Sequence, residues 1–217
     1  MTMKTTVISI IMCLWVTNMS AQALKQQGVS AESITPQGWE HHEAIGDLNN
    51  DGIKDLVLLA KPNFKDMMMT RDDGYEYNFN PYILAIYFGQ SNGIYRQWRQ
   101  YDTLFEGDTE WHTVEVDVEV TERGILNVST NSFSSAGSYG NNLDKYTYRF
   151  QNGDFYMIGM ETTEMQRNTG EMTTVSENYL TWKRQTIKDN AFEDVVKKET
   201  WSKLTKKPLE KLGARTL

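Results

Sequence analysis

The sequence predicts a mainly β protein: a single domain of antiparallel strands and hairpins, sandwich-like or resembling an incomplete propeller, with few or short helices. Three observations support this prediction. Residues 113–120 alternate between valine and mostly acidic residues, which is typical of a half-buried strand. Residues 151–154, Gln-Asn-Gly-Asp, join two strand-like segments, and Asn-Gly is a strong hairpin signal. No segment keeps the apolar spacing of a long helix.

Residues 1–23 have the features of a secretory signal peptide. Lys4 precedes an apolar run over residues 7–16, and small residues follow at alternate positions before Ala23. The run is too short to span the roughly 30 Å of a hydrocarbon core. We expect cleavage after Ala23, with Ala21 as the alternative. The mature chain is then exported to the periplasm, the cell surface or the medium, without a transmembrane segment.

The mature chain is expected to contain no cysteine, because Cys13 leaves with the signal. An exported protein without disulfides has to be stabilised by other means. Residues 24–38 are predicted to form a linker or short helix, and residues 39–217 the single β domain. Residues 61–81 and 131–142 are polar and are predicted to be surface loops.

The charge distribution argues against one class of partner. The net charge is −7, whereas general nucleic-acid binding requires a basic face. Residues 181–217 are nevertheless basic, with ten Lys or Arg against five Asp or Glu. This segment either meets an acidic glycan or membrane surface or neutralises the acidic remainder of the domain. We favour neutralisation, because alternating charged faces are usually only solvated.

One segment, residues 47–55, has the oxygen-bearing pattern of a calcium loop. Calcium takes six to eight oxygen ligands at about 2.3–2.6 Å, and alternate residues of a wrapped loop can supply them. Gly52, at position six, allows a sharp turn. The predicted ligands are Asp47, Asn49, Asp51, Ile53 through its main-chain carbonyl, and Asp55.

The ion is predicted to be structural Ca²⁺ that fixes the start of the apolar strand over residues 56–60. The alternative is an ion-free turn closed by Asn and Asp side chains. Without a cation, however, three converging carboxylates would repel one another.

This segment resembles the calcium loop of FG-GAP and VCBS-type repeats, in which Asp-x-Asp/Asn-x-Asp-Gly-x-x-Asp precedes an apolar strand. It differs from an EF-hand, because Leu58 occupies the twelfth position and a strand follows. Only residues 46–60 carry the resemblance, whereas a propeller needs several repeats. Residues 148–159 and 178–181 are also similar to a group of exported bacterial proteins that have one such loop and no established activity. That resemblance implies a single compact domain.

The remaining candidates for binding are weak. Tyr95, Trp98 and Trp111 could form an aromatic platform for a sugar or peptide, although aromatic side chains more often fill a β core. His41 and His42 are adjacent on a predicted strand and therefore point to opposite faces, which disfavours a shared metal.

These features favour a non-enzymatic binding or structural module of the cell envelope, with a glycan or an envelope protein as its partner and no catalytic residues. The alternative is a hydrolase that acts on glycans or envelope polymers through Asp/Glu pairs. A third hypothesis is an inhibitor or adhesin that binds through residues 61–81.

Overall fold

The structure is a computed structural model that describes residues 23–70, 72, 74, 76–134 and 138–217, with the main chain alone for residues 194–197. The predicted signal peptide, except for Ala23, lies outside the described residues. The strands are β1 Gln27–Gly28, β2 Glu40–Gly46, β3 Asp55–Lys61, β4 Met68–Thr70, β5 Glu76–Asn78, β6 Ile83–Gly89, β7 Tyr95–Tyr101, β8 His112–Val120, β9 Ile125–Ser134, β10 Gly140–Gln151, β11 Asp154–Gln166, β12 Glu171–Asn178, β13 Lys183–Asn190 and β14 Glu193–Lys203.

The strands form two large sheets and one small hairpin, and every paired strand is antiparallel. The first sheet has the order β1-β7-β6-β3-β2, and the hairpin pairs β4 with β5. The second sheet is a seven-stranded meander that runs from β8 to β14 in chain order. The predicted mainly β fold of antiparallel strands and hairpins is confirmed.

The main core lies between the two large sheets. Val57 and Leu59 of β3 and Ile86 of β6 face Val116 and Val118 of β8 across it. Val114, Val116 and Val118 of β8 are buried while the acidic residues between them are exposed, as the alternation in the sequence predicts. The outward face of the seven-stranded sheet is therefore polar along this edge.

A second core covers the other face of the five-stranded sheet. Helix α1, Ala31–Ile34, packs Ala31 and Ile34 there against alternate residues of β3, including Leu56 and Leu58. Ser30 begins this helix with a capping box that pairs its side chain and main chain with Ser33. Strand β3 is buried along its whole length because both of its faces are covered.

The turn between β10 and β11 has the geometry that its sequence predicts. Asn152 and Gly153 have φ values of 51° and 76°, as a two-residue turn with both central residues left-handed requires. Phe150 pairs with Phe155 across this hairpin. The turn thus fixes the register of the two longest strands of the meander.

Residues 204–217, here called the C-terminal strap, run back along the main core. The N–H of Leu212 donates to the carbonyl of Phe155 at 3.0 Å, and the N–H of Leu217 donates to the carbonyl of Leu104 at 2.7 Å. Leu204 and Leu209 also pack against the main core. The strap therefore covers apolar side chains that the meander alone would leave open.

Two predicted loops contain more regular structure than expected. The predicted loop over residues 61–81 contains a 3-10 helix, Lys65–Met67, and the β4–β5 hairpin. In the predicted loop over residues 131–142, β9 continues to Ser134 and β10 begins at Gly140. Both predictions were wrong because strand pairing outweighed the weak local signal of polar residues. Among the described residues, helices are too short and too polar to cross a membrane.

Candidate functional site

The loop between β2 and β3 is closed by hydrogen bonds from its own main chain. The carboxylate of Asp47 accepts from the N–H of Asp51 at 3.1 Å and from the N–H of Gly52 at 2.9 Å. The carboxylate of Asp51 accepts from the N–H of Ile53 at 2.8 Å. Asn50 and Gly52 have positive φ values of 59° and 84°, which turn the chain sharply. The main chain thus wraps around the side chains of Asp47 and Asp51.

Asn49 completes this arrangement through its amide. Its oxygen accepts from the N–H of Asp51 at 3.0 Å, and its nitrogen donates to a carboxylate oxygen of Asp51 at 3.0 Å. Asp47, Asn49 and Asp51 are therefore linked through shared hydrogen bonds within the loop.

Asp55, the first residue of β3, is fully buried. One oxygen accepts from the N–H of Leu48 at 2.8 Å, and the other accepts from the N–H of Gly89 at 2.9 Å. Burial raises the pKa of Asp55, and the charge of Asp51 adds to this rise, although the main-chain N–H groups of Gly89, Leu48 and Asn49 oppose it. Asp55 therefore joins the loop to the end of β6 and keeps a carboxylate where its charge is poorly solvated.

Two glycines allow the loop to pack closely against both large sheets, because neither has a Cβ atom. A Cβ at Gly89 would lie 2.1 Å from the carbonyl oxygen of Lys54, and a Cβ at Gly124 would lie 2.2 Å from that of Asp47. Gly89 ends β6 of the five-stranded sheet, whereas Gly124 lies in the turn before β9 of the seven-stranded sheet. The sequence analysis did not identify either residue as part of this site, because each is far from the loop in sequence.

The donor chemistry of the loop suits a hard cation, since carboxylate, amide and carbonyl oxygens are the ligands that calcium prefers. The carboxylates are not gathered, however. Among the described residues, no three His, Cys, Asp or Glu side chains form a group that could hold a metal ion. A carboxylate oxygen has lone pairs for both an N–H group and a cation. The carboxylates can therefore keep their hydrogen bonds and still bind a cation, which requires Asp47, Asp51 and Asp55 to converge.

The three aromatic candidates do not share a surface. Trp98 packs against the main core, and its ring lies 5.4 Å from Phe155 and 5.7 Å from Phe88, centroid to centroid. Tyr95 instead packs against the core that contains α1, on the other face of the five-stranded sheet. Trp111 is exposed and immediately precedes β8. The structure does not bring Tyr95, Trp98 and Trp111 together as a platform.

The basic end of the chain pairs partly with acidic residues of the same domain. Asp154 lies 3.0 Å from the ammonium of Lys211 and 3.2 Å from the guanidinium of Arg99. Burial by itself would raise the pKa of Asp154. Hydrogen bonds from Lys211 and from the N–H of Phe155, with the charge of Arg99, outweigh burial and lower it. The Lys211 pair attaches the C-terminal strap to the start of β11, and the Arg99 pair attaches β7 to the same carboxylate.

Comparisons of this chain with models of protein families, with curated proteins and with solved structures found no match in any of the three.

Proposed function

We propose that this chain is an exported β protein, stabilised by one Ca²⁺ ion in the loop over residues 47–55, which serves as a non-enzymatic binding or structural module of the cell envelope. The buried carboxylate of Asp55 carries this proposal. Its charge is desolvated, Asp51 lies near enough to raise its pKa, and the described residues form no ion pair with it. A divalent cation would compensate this charge.

The proposed ligands are the side chains of Asp47, Asn49, Asp51 and Asp55 and the main-chain carbonyl of Ile53. Asp55 is bound to the N–H of Gly89, and Asp47 lies against Gly124. An ion in this loop would therefore restrain the start of β3 and would connect the five-stranded sheet to the seven-stranded sheet. A ligand that binds only the folded state at about one hundred times its Kd adds about 2.7 kcal/mol to the free energy of unfolding.

The calcium proposal is tested by thermal unfolding of the mature protein with excess EGTA and with millimolar CaCl₂. We expect calcium to raise the melting temperature by several degrees, since about 1 kcal/mol corresponds to roughly 2–4 °C for a domain of this size. Asp51→Asn should remove most of this rise. Asp117→Asn, an exposed carboxylate on β8, is the matched control and should retain the rise. A melting temperature that calcium and EGTA leave unchanged would refute calcium binding.

The export proposal is supported by the features of residues 1–23 and is tested separately. When the full chain is expressed in a bacterium with a secretory pathway, mass spectrometry of the purified protein should find an N-terminus at Leu24 or, after the alternative cleavage, at Gln22. Protein recovered only from the cytoplasm with residues 1–23 intact would contradict export.

A further inference from the structure

A groove of about 670 Å³ crosses the outward face of the seven-stranded sheet, from β10 to β14. Five of its lining residues stand directly opposite one another on neighbouring strands, which places their side chains on the same face. This row consists of Lys145, Glu161, Ser176, Gln185 and Trp201. Tyr146, next to Lys145, points into the main core, so the row faces away from that core.

Trp201 is the large aromatic residue of this row, and 62% of its surface is exposed. Its indole N–H donates to the carboxylate of Glu199 at 2.7 Å, and the amide of Gln185 donates to the same oxygen at 2.9 Å. These bonds hold the ring in one orientation on the sheet. A rigid, exposed aromatic ring loses little conformational entropy when a ligand stacks on it.

The rest of the groove combines apolar side chains, among them Ile158, Met160 and Leu180, with polar side chains that are balanced in charge. Two lysines, Lys145 and Lys183, and two glutamates, Glu161 and Glu177, line it together with hydroxyl and amide side chains. Ser176 already donates to Glu161, so the hydroxyl and carboxylate are oriented. This balance does not favour nucleic acid, which needs a basic surface.

The dimensions fit a chain rather than a small molecule. Five neighbouring strands cover about 19 Å at a spacing of about 4.8 Å, and the row crosses all of them. Such a length accommodates several consecutive sugar rings. A sugar ring presents C–H groups on its faces, which suit an indole, and hydroxyl groups at its edge, which suit the paired donors and acceptors along the row.

We propose that this groove binds a neutral glycan chain, with one sugar ring stacked on Trp201 and its neighbours bonded to the row from Gln185 to Lys145. The inference rests on the proposed role as a binding module and specifies its ligand class. It assigns that ligand to a surface that includes none of Tyr95, Trp98 and Trp111.

The test is affinity electrophoresis of the mature protein in native gels that contain a neutral soluble polysaccharide: dextran, mannan, xyloglucan or mixed-linkage β-glucan. We expect at least one of these four to slow migration relative to a polysaccharide-free gel. Trp201→Ala should weaken this retardation at least tenfold, and Trp201→Phe should retain much of it. Trp111→Ala removes a similarly exposed tryptophan outside the groove, at 57% exposure, and should bind like the wild type.

The proposal is overturned if none of the four polysaccharides slows the protein, or if Trp201→Ala binds as tightly as the wild type. Retardation by heparin alone, unchanged in Trp201→Ala, would also overturn it and would indicate electrostatic binding by the basic end of the chain. Circular dichroism melting of Trp201→Ala checks that the fold is intact.

The gels are repeated with EGTA below the melting temperature of the calcium-free protein. Glycan binding should persist there, because the groove residues are not part of the loop over residues 47–55. A melting temperature that calcium and EGTA leave unchanged, together with glycan binding, would refute only the calcium proposal. Calcium stabilisation without glycan binding would refute only the proposal of glycan binding in the groove.

Discussion

The main-chain N–H of Gly89 donates a 2.9 Å hydrogen bond to the carboxylate of Asp55. Because the other oxygen of the same carboxylate accepts from Leu48, one buried side chain connects the loop after β2 with the end of β6. Stability of the five-stranded sheet therefore depends on Asp55 whether or not an ion is bound.

Asp55→Ala should lower the free energy of unfolding in EGTA by about 2–4 kcal/mol, because two buried N–H groups lose their acceptor. Urea unfolding followed by tryptophan fluorescence measures this loss. Asp117→Ala removes an exposed carboxylate and should change stability by less than about 0.5 kcal/mol. Equal stability of Asp55→Ala and wild type would show that the N–H groups find other partners.

Gly124→Ala and Gly153→Ala separate steric contact from backbone strain. Both glycines have a positive φ, at 68° and 76°. A Cβ at Gly153 would meet open space, whereas a Cβ at Gly124 would lie 2.2 Å from the carbonyl oxygen of Asp47. Gly153→Ala should therefore cost about 1–2 kcal/mol from φ alone, and Gly124→Ala at least twice that. Similar losses for the two variants in urea unfolding would contradict the close packing of the loop.

Asp154 predicts a specific dependence of stability on pH. Its folded pKa is lowered, so its contribution is complete above its unfolded value of about 3.9 and is lost as the pH falls through the folded value. Asp154→Asn should be less stable than wild type by about 1–2 kcal/mol at pH 7, a modest value because Arg99 and Lys211 are partly exposed.

This difference between wild type and Asp154→Asn should shrink below about pH 4, where the wild-type carboxylate is protonated too. Urea unfolding of both proteins between pH 7 and pH 2.5 measures it. A difference that stays constant or grows on acidification would show that the charge of Asp154 does not stabilise the fold.

Leu212→Ala tests the C-terminal strap. Leu212 is 2% exposed in the main core, so the truncation should cost about 2–4 kcal/mol through lost burial and the cavity left behind. Leu143→Ala is the matched control, because Leu143 is 47% exposed on β10 and should be nearly neutral. Thermal unfolding compares the two variants, and equal melting temperatures would mean that the strap adds little to the core.

Local patterns were sufficient to predict much of the fold. The alternation that ends at Val120 predicted a half-buried strand, and the Asn152-Gly153 turn predicted the β10–β11 hairpin. Both signals depend on neighbouring residues, so they are readable from the sequence. The order of the strands and the coverage of β3 by α1 depend on packing between distant segments. No local pattern encodes that packing.

The candidate sites show the same division. The loop from Asp47 to Asp55 is contiguous, and its spacing was visible in the sequence. The roles of Gly89 and Gly124 were not, because they follow from the distance between separate strands. Likewise, no feature of the neighbouring sequence distinguishes the exposed Trp201 from the packed Trp98. Only the pairing of β13 with β14 places it outward, whereas Trp98 is packed among phenylalanines.

The outward row from Lys145 to Trp201 shares no side chain with the apolar core beneath it. Substitutions along that row can therefore change the chemistry of the exposed face without altering the packing of the core. Such a separation makes the meander a suitable framework for a library in which these five positions are randomised.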